Sequence, residues 1–497
     1  MNIRLILPLL FAAVFAACDH YDDFTADRAA TLAFSADSVR FDTLITTVPS
    51  ATKTLIVYNH GDKGVRISEV ALEKGAASNF RVNVDGQDMS RSEANRIYDF
   101  EVRRRDSIFV RIEVTVPQLD TDSIQHLEDA LVFTLESGVR HRVALSVGGQ
   151  NAAHFLRGFI VEADTTFATS LPIVIYDSLV VGQGSVLTLQ AGTQLLFHEG
   201  AFMRVRGRLV ASGTLDAPVV FRGDRTDHMF DYLPYDRLPA RWEGITIDES
   251  SKDNILEYVD IHSAKYGIVC RGLAEEISTF TSTDTIQSPH FTLLNSCIHN
   301  IGGPGIDGFD AVMVVQNSEV SNTLGNCVNL VGGVAQFTHC TLAQFYALDA
   351  QRGNALFFTD SIASSPIRLC DFNNCVIVGY ADDELMGDVN IDGPTPANFH
   401  FRNCYIATVE TDMPERFIGI VYDKYDKNTH PLTGSNNFTL IDTHNFLYDF
   451  TPKDSSLIRG VADPLLARPL PTDRLGRNRF ADGAPDAGCY EYLPPQK

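Results

Sequence analysis

The residues best suited to chemistry are carboxylates. Asp307 and Asp310 sit together in Gly305-Ile306-Asp307-Gly308-Phe309-Asp310, and Asp349 and Arg352 follow further along. Paired carboxylates act as general acid and base in glycoside cleavage, and an arginine steadies developing negative charge. On an acidic chain such pairs also arise as solvated loop charges. A second pattern is Asp388-Val389-Asn390-Ile391-Asp392-Gly393, three oxygen ligands at alternate positions and then a glycine, like the first half of a calcium loop. Asp382, Asp383 and Glu384 add charge nearby, but Phe399 stands where the closing glutamate belongs, and Pro394 and Pro396 oppose a following helix. Calcium is thus a possible cofactor, with an exposed acidic loop as the plainer reading. There is no Gly-x-Ser-x-Gly elbow, His-Glu-x-x-His pair or phosphate-binding loop.

Eight cysteines lie between Cys270 and Cys489. An even number in an exported chain allows disulfides. Yet Cys297, Cys340, Cys375 and Cys404 fall at one repeat position and Cys327 at another, which an inward ladder of small apolar residues explains without bonds. No Cys-x-x-Cys pair suggests a metal.

These residues need a scaffold, and the runs around them repeat. Asn295-Ser296-Cys297-Ile298, Asn317-Ser318-Glu319-Val320, Thr338-His339-Cys340-Thr341, Asn373-Asn374-Cys375-Val376 and Arg402-Asn403-Cys404-Tyr405 align, each after an apolar run. Ile255 to Ile261 and the Tyr266-Gly267-Ile268 corner look like an earlier copy, and Gly305-Ile306 and Asn326-Cys327-Val328 repeat that corner. Short strands in repeats of this kind predict a solenoid whose equivalent strands stack into parallel sheets. Asparagines then fall at turns, where they tolerate left-handed backbone and bond to the next coil. The expected domain is a parallel β-helix over 155–492.

Before it, Ile108, Val110, Ile112, Val114 and Val116 alternate with polar residues, the period of a half-buried strand. Similar runs recur from Leu32 to Val147, predicting an immunoglobulin-like β-sandwich over 31–150 without an inter-sheet disulfide. Gly148-Gly149-Gln150-Asn151 reads as a hinge.

The start of the chain reads as a targeting segment. Arg4 precedes an apolar run, Leu5 to Phe15, too short to span a bilayer, and Ala16-Ala17-Cys18 follows. This resembles a bacterial lipobox, with Phe15 where Leu or Val is usual. It implies a signal peptide over 1–17, lipid attachment at Cys18, a membrane partner through that anchor, and an acidic tether over 18–30. The acidic run Asp19 to Asp23 resembles a surface-export signal of Bacteroidetes lipoproteins.

Gly223-Asp224-Arg225, Trp242-Glu243-Gly244-Ile245, Asp473-Arg474-Leu475-Gly476-Arg477 and Pro485-Asp486-Ala487-Gly488-Cys489-Tyr490-Glu491-Tyr492 carry a further resemblance. The chain resembles a Bacteroidetes lipoprotein family with right-handed parallel β-helix repeats, in the wider pectate-lyase-like fold; Cys489 stands where alanine is usual. The resemblance implies an outer-membrane, surface-facing location and no agreed activity. It also brings in O-glycosylation at Asp-Ser or Asp-Thr followed by a small or aliphatic residue, with Ser38, Thr43, Ser107, Ser123, Ser178, Thr285 and Ser361 as expected sites.

Lys and Arg total 40 against 63 Asp and Glu, for a net charge of −23. A field of that sign repels phosphate backbones, so nucleic acid is not an expected partner. The sequence favours a surface binding or structural module presenting a β-helix face to glycan or protein. The alternative is a polysaccharide lyase or glycoside hydrolase.

Overall fold

The computed structural model describes residues 23–92, 94–230, 232–281, 286–392, 395–423, 434–492 and 494. The expected signal peptide, Cys18 and Thr285 lie outside the described residues. The chain divides into two compact units after Asn151.

The first unit is built from two sheets. One orders Phe24–Thr25, Gly64–Leu72, Gln125–Leu135, Arg140–Gln150 and Ser38–Ile45, with Arg96–Val102 also on Gly64–Leu72. The other orders Ala33–Phe34, Lys53–Asn59, Asp106–Val114, Phe80–Val84 and Gln87–Asp88. Both contribute to one core, in which Ile108, Val110, Ile112, Val114 and Val116 are buried as their alternation requires. The strand Arg96–Val102 escapes the period-of-two reading because Asp99, at φ +62°, interrupts the ladder between the pairs Ile67–Phe100 and Glu69–Tyr98 without changing its register, and breaks the alternation of Ile97, Phe100 and Val102. The expected hinge glycines are instead inside Arg140–Gln150, paired with Thr43 and Leu44. A Cβ on Gly148 would lie 2.6 Å from Thr43 Oγ1, and one on Gly149 2.5 Å from Val116 Cγ1, so close packing accounts for both glycines.

The second unit is a parallel β-helix. Each coil passes through three sheets in turn. Among the described residues the first sheet has 11 strands, from Ala153–Phe155 to Val421–Tyr422; the second has 9, from Phe159–Val161 to Leu385–Asp388; and the third has 10, from Thr165–Phe167 to Phe417–Ile418. Every ladder within them is parallel. In-register stacking puts like residues inside: Ile261, Ile298, Val320, Leu342, Ile377 and Ile406 form one apolar column. Each such side chain contributes about 1.5–3 kcal/mol by burial, which no single coil supplies alone.

Asn295, Asn317, His339, Asn374 and Asn403 all adopt left-handed backbone, φ between +51° and +55°, at equivalent corners. Asn317 Nδ2 donates to Asn295 Oδ1 at 2.6 Å, across a 22-residue coil. This fixes the true register. Ser296, Ser318, Cys340, Cys375 and Cys404 follow these corners and stack inward: Ser296 N–H donates to Ser318 Oγ at 3.1 Å, Cys340 N–H to Cys375 Sγ at 3.5 Å and Cys375 N–H to Cys404 Sγ at 3.3 Å. Cys297 does not belong to that column. It pairs with Glu319, which pairs with Thr341, on the outer side of the sheet. The alignment slipped because His339 takes the corner that asparagine holds elsewhere. The eight cysteines among the described residues are all buried and form no disulfide.

The segment after Gly434 folds back over the outer face of the first sheet. Phe438, Phe450, Ile458, Ala487, Cys489 and Tyr490 pack on Ala343, Phe345, Val376, Val378, Tyr405 and Ala407. The motifs of the closing signature serve this docking. Buried Asp473 accepts from the N–H groups of Leu475, Arg477 and Glu491 at 2.7–2.9 Å. Arg474 Nε donates to Ser296 O at 3.2 Å, and Tyr490 OH to Glu319 at 2.5 Å. No helix among the described residues is long and apolar enough to cross a membrane.

Candidate functional site

The carboxylates singled out by sequence do not converge. Asp307 lies on Ile306–Phe309 of the second sheet and accepts from Arg271 at 3.0 Å and Asn329 at 2.7 Å. Asp310 is buried at a left-handed corner, φ +49°, where it accepts the Ser365 N–H at 3.1 Å and the Ser365 hydroxyl. It is a turn residue. Asp349 accepts from Gln351 N–H at 2.8 Å in the loop leaving the first sheet. Arg352 donates to the carbonyls of Tyr346 and Asp349 and lies 4.3 Å over the Tyr380 ring. Three of the four are thus held as loop and corner structure, and Asp307 lies on a different sheet from the Asp349 loop.

The calcium-like loop is described only to Asp392; Gly393 and Pro394 lie outside. Asp388 ends the strand Leu385–Asp388, and Asn390 N–H donates to Asp360 at 2.8 Å. Nearby, Glu384 turns inward. Its carboxylate accepts the N–H groups of Ala355 and Ala381, each at 2.8 Å, and burial pushes its pKa up to about 7. Of the expected glycosylation sites, Ser123 and Ser361 are exposed; Ser38, Thr43, Ser107 and Ser178 are half-buried on strands.

A different group comes together on the outer face of the first sheet. Val259 and Ile261 of the strand Val259–His262 point into the core, so Asp260 and His262 point out. His262 pairs in register with His299. His262 Nδ1 lies 2.8 Å and His299 Nε2 3.1 Å from the same oxygen, Asp260 Oδ1. The two rings are 4.9 Å apart and 24° from parallel, the spacing of adjacent parallel strands. The side chains of Asp260 and His299 keep 30% and 25% of their surface in solvent, so the cluster is reachable. Among the described residues it is the one group of three His, Cys, Asp or Glu side chains whose ligand atoms all lie within 4.8 Å of one another.

Its surroundings are built to hold it. Trp242 stacks on Phe197 with centroids 4.2 Å apart and donates from Nε1 to the His262 carbonyl at 2.9 Å. Burial works against the Asp260 carboxylate, but the two imidazoles outweigh it and keep its pKa well below the usual range. Burial pulls His262 down, further than Asp260 raises it. For His299 burial is outweighed by the charge and hydrogen bond of Asp260, and its pKa rises. To one side, Arg222 reaches Asp236 at 3.5 Å, and Asp236 O accepts the Ser263 hydroxyl at 2.6 Å. To the other, Glu319 is held by Ser321 at 2.6 Å and by Tyr490. Asp224 and His198 pair at 2.6 Å, and Arg225 and Asp227 pair through two bonds of 2.9 and 2.7 Å.

An aromatic rim adjoins this face. Exposed Phe230 and Tyr232 stack 5.9 Å apart at 11°, and Tyr232 stacks on His444 of the closing segment at 6.0 Å and 5°. Arg237, next to Asp236, donates to Asn445 O at 2.8 Å. Sequence reasoning missed the cluster because 37 residues separate equivalent positions here, as in the bond from Val259 N–H to Ser296 Oγ. His262 and His299 have that same separation, so the signal was present once the coil register was known.

No family model matches the chain, and no curated protein matches it. Solved structures give weak likenesses. A family 123 glycoside hydrolase from Clostridium perfringens is 6% identical, with a TM-score of 0.19, over 24% of this chain; the match spans only 27% of that enzyme's length. A protein of unknown function from Porphyromonas gingivalis W83 is 16% identical over 30% of this chain and 58% of its own, with a TM-score of 0.18. The catalytic unit of a thermostable GH87 alpha-1,3-glucanase from Streptomyces thermodiastaticus is 10% identical over 75% of this chain and 89% of its own, with a TM-score of 0.24. At these scores the β-helix rests on the strand pairing itself.

Proposed function

We propose that this chain is a lipid-anchored surface protein, attached through Cys18, that binds a glycan on the outer face of the first sheet. On this reading the coils are right-handed, as parallel crossovers nearly always are, and the first unit is an immunoglobulin-like spacer. The observation that carries the glycan assignment is the exposed stack of Phe230, Tyr232 and His444 beside a face of charged hydrogen-bonding groups. Sugar rings lay their C–H faces on aromatic rings while their hydroxyls engage polar side chains.

Binding is favoured over cleavage because four of the carboxylates of this face are committed. Asp260 is shared by two histidines, Glu319 by Ser321 and Tyr490, Asp224 by His198, and Asp227 by Arg225. Glycoside hydrolysis calls for two carboxyl groups free to act as acid and as base or nucleophile.

The test is a glycan array probed with the full chain in detergent, with product detection in the same wells. Retention of a glycan, weakened about 3- to 10-fold by Tyr232→Ala and accompanied by no product, supports the proposal. No retention on any glycan rejects it. Product release replaces it with the lyase or hydrolase reading. Metabolic labelling with a fatty acid, lost in Cys18→Ala, tests the anchor. Ser123 and Ser361 are the hydroxyls we expect to carry O-glycans.

A further inference from the structure

We propose that Asp260, His262 and His299 form a binding site for a divalent transition metal of the zinc class. The inference stands independently of the glycan reading. Nitrogens from two neighbouring strands are directed at one carboxylate oxygen, at 2.8 and 3.1 Å. The three ligand atoms already lie within 4.8 Å of one another, so an ion about 2.0–2.2 Å from each needs only small side-chain rotations.

The scaffold holds the donors in place. In-register pairing of His262 with His299 sets the rings 4.9 Å apart, and Trp242 pins the His262 carbonyl from beneath. Two imidazoles and one carboxylate select zinc, cobalt or nickel over calcium, which takes oxygen ligands. Three protein ligands also leave a coordination position open, and the exposed parts of Asp260 and His299 give the ion and a further ligand a way in. The neighbouring cations do not occupy the site. Arg474 is held by Ser296 O and Tyr490, and Arg222 by Asp236 and Arg225 O.

The experiment strips the full chain with a chelator and titrates it with zinc chloride by calorimetry, then with cobalt chloride by visible absorption. One zinc per chain is expected, with intense cobalt bands of a low-coordinate nitrogen–oxygen site. Asp260→Asn and His299→Gln should each weaken zinc about 100-fold or more. His400→Gln alters a histidine that bonds Asp371 on the third sheet, and should leave the affinity unchanged. Unfolding midpoints measured in chelator show whether the variants fold, and the cobalt spectrum of the unaltered chain reports coordination without any variant. The site is ruled out if the unaltered chain takes up no zinc, if cobalt shows only the weak bands of the hydrated ion, or if folded Asp260→Asn and His299→Gln bind as tightly as the parent.

Discussion

Arg479 donates to the side-chain oxygen of Asn317 at 2.5 Å, joining the closing segment to a corner of a coil 162 residues earlier. The same guanidinium pairs with Glu491 at 2.5 Å, and both charges are buried. Burial pushes the pKa of Glu491 up to about 8, so without Arg479 its carboxyl takes up a proton, and the cost is that of the lost buried bonds, about 1–3 kcal/mol. Arg479→Met is therefore expected to lower the unfolding free energy by that amount in urea titrations. An unchanged midpoint would show that the closing segment is not held at this point.

Gly488 sits at φ +87°, and a Cβ there would lie 2.6 Å from Thr341 Oγ1. Gly488→Ala should destabilise by about 1–3 kcal/mol through backbone strain and the clash together. Adding Thr341→Ala should recover the Oγ1 part of the clash but not the 3.0 Å approach to Val376 Cγ2, and it forfeits the bond that Oγ1 accepts from Cys489 N–H at 3.1 Å. Thermal midpoints of the two single variants and the double variant separate these contributions.

The thiols should be silent in the folded chain. Burial pushes Cys270 up to about 12 and raises Cys297, Cys327, Cys370, Cys375 and Cys489 as well. The thiolate is the reactive form. Pulsed iodoacetamide labelling near neutral pH, read by mass spectrometry, should leave all eight unmodified until denaturant is added. Native labelling of Cys270 at the rate of a free peptide would contradict its burial.

Glu384 links stability to pH. Its folded-state pKa of about 7 lies above the 4.5 of an exposed glutamate. The folded chain keeps this proton over a range where the unfolded chain has released it. The stabilisation is complete below pH 4.5 and is lost as pH rises through 7, by about 3 kcal/mol in all. Unfolding titrations at several pH values should show this decline, and Glu384→Gln should flatten it. An equal slope in the variant would assign the effect to another group.

The scaffold was far more legible in the sequence than the site. Asn295, Asn317, Asn374 and Asn403 could be read as corners because asparagine tolerates left-handed backbone. Apolar columns such as Ile298–Val320–Leu342 follow from stacking once those corners are placed. His339 at one corner carried no such signal and moved Cys297 into the wrong column. Asp310 reads in the sequence equally as a candidate reactive carboxylate or a loop charge, because composition does not distinguish a turn-forming aspartate from a free one. His262 and His299 meet only because the chain between them leaves the sheets and returns, a closure that local periodicity does not encode.

A tail that reaches Ser296, Asn317, Glu319, Thr341 and Asn374 alters how the β-helix comes apart. An uncapped solenoid frays from its ends, each coil melting on its own account. Here several successive coils share one clasp near the C-terminus, so they unfold as a cooperative block. Synthesis makes that clasp after every coil it binds, so full stability arrives with the clasp and not coil by coil.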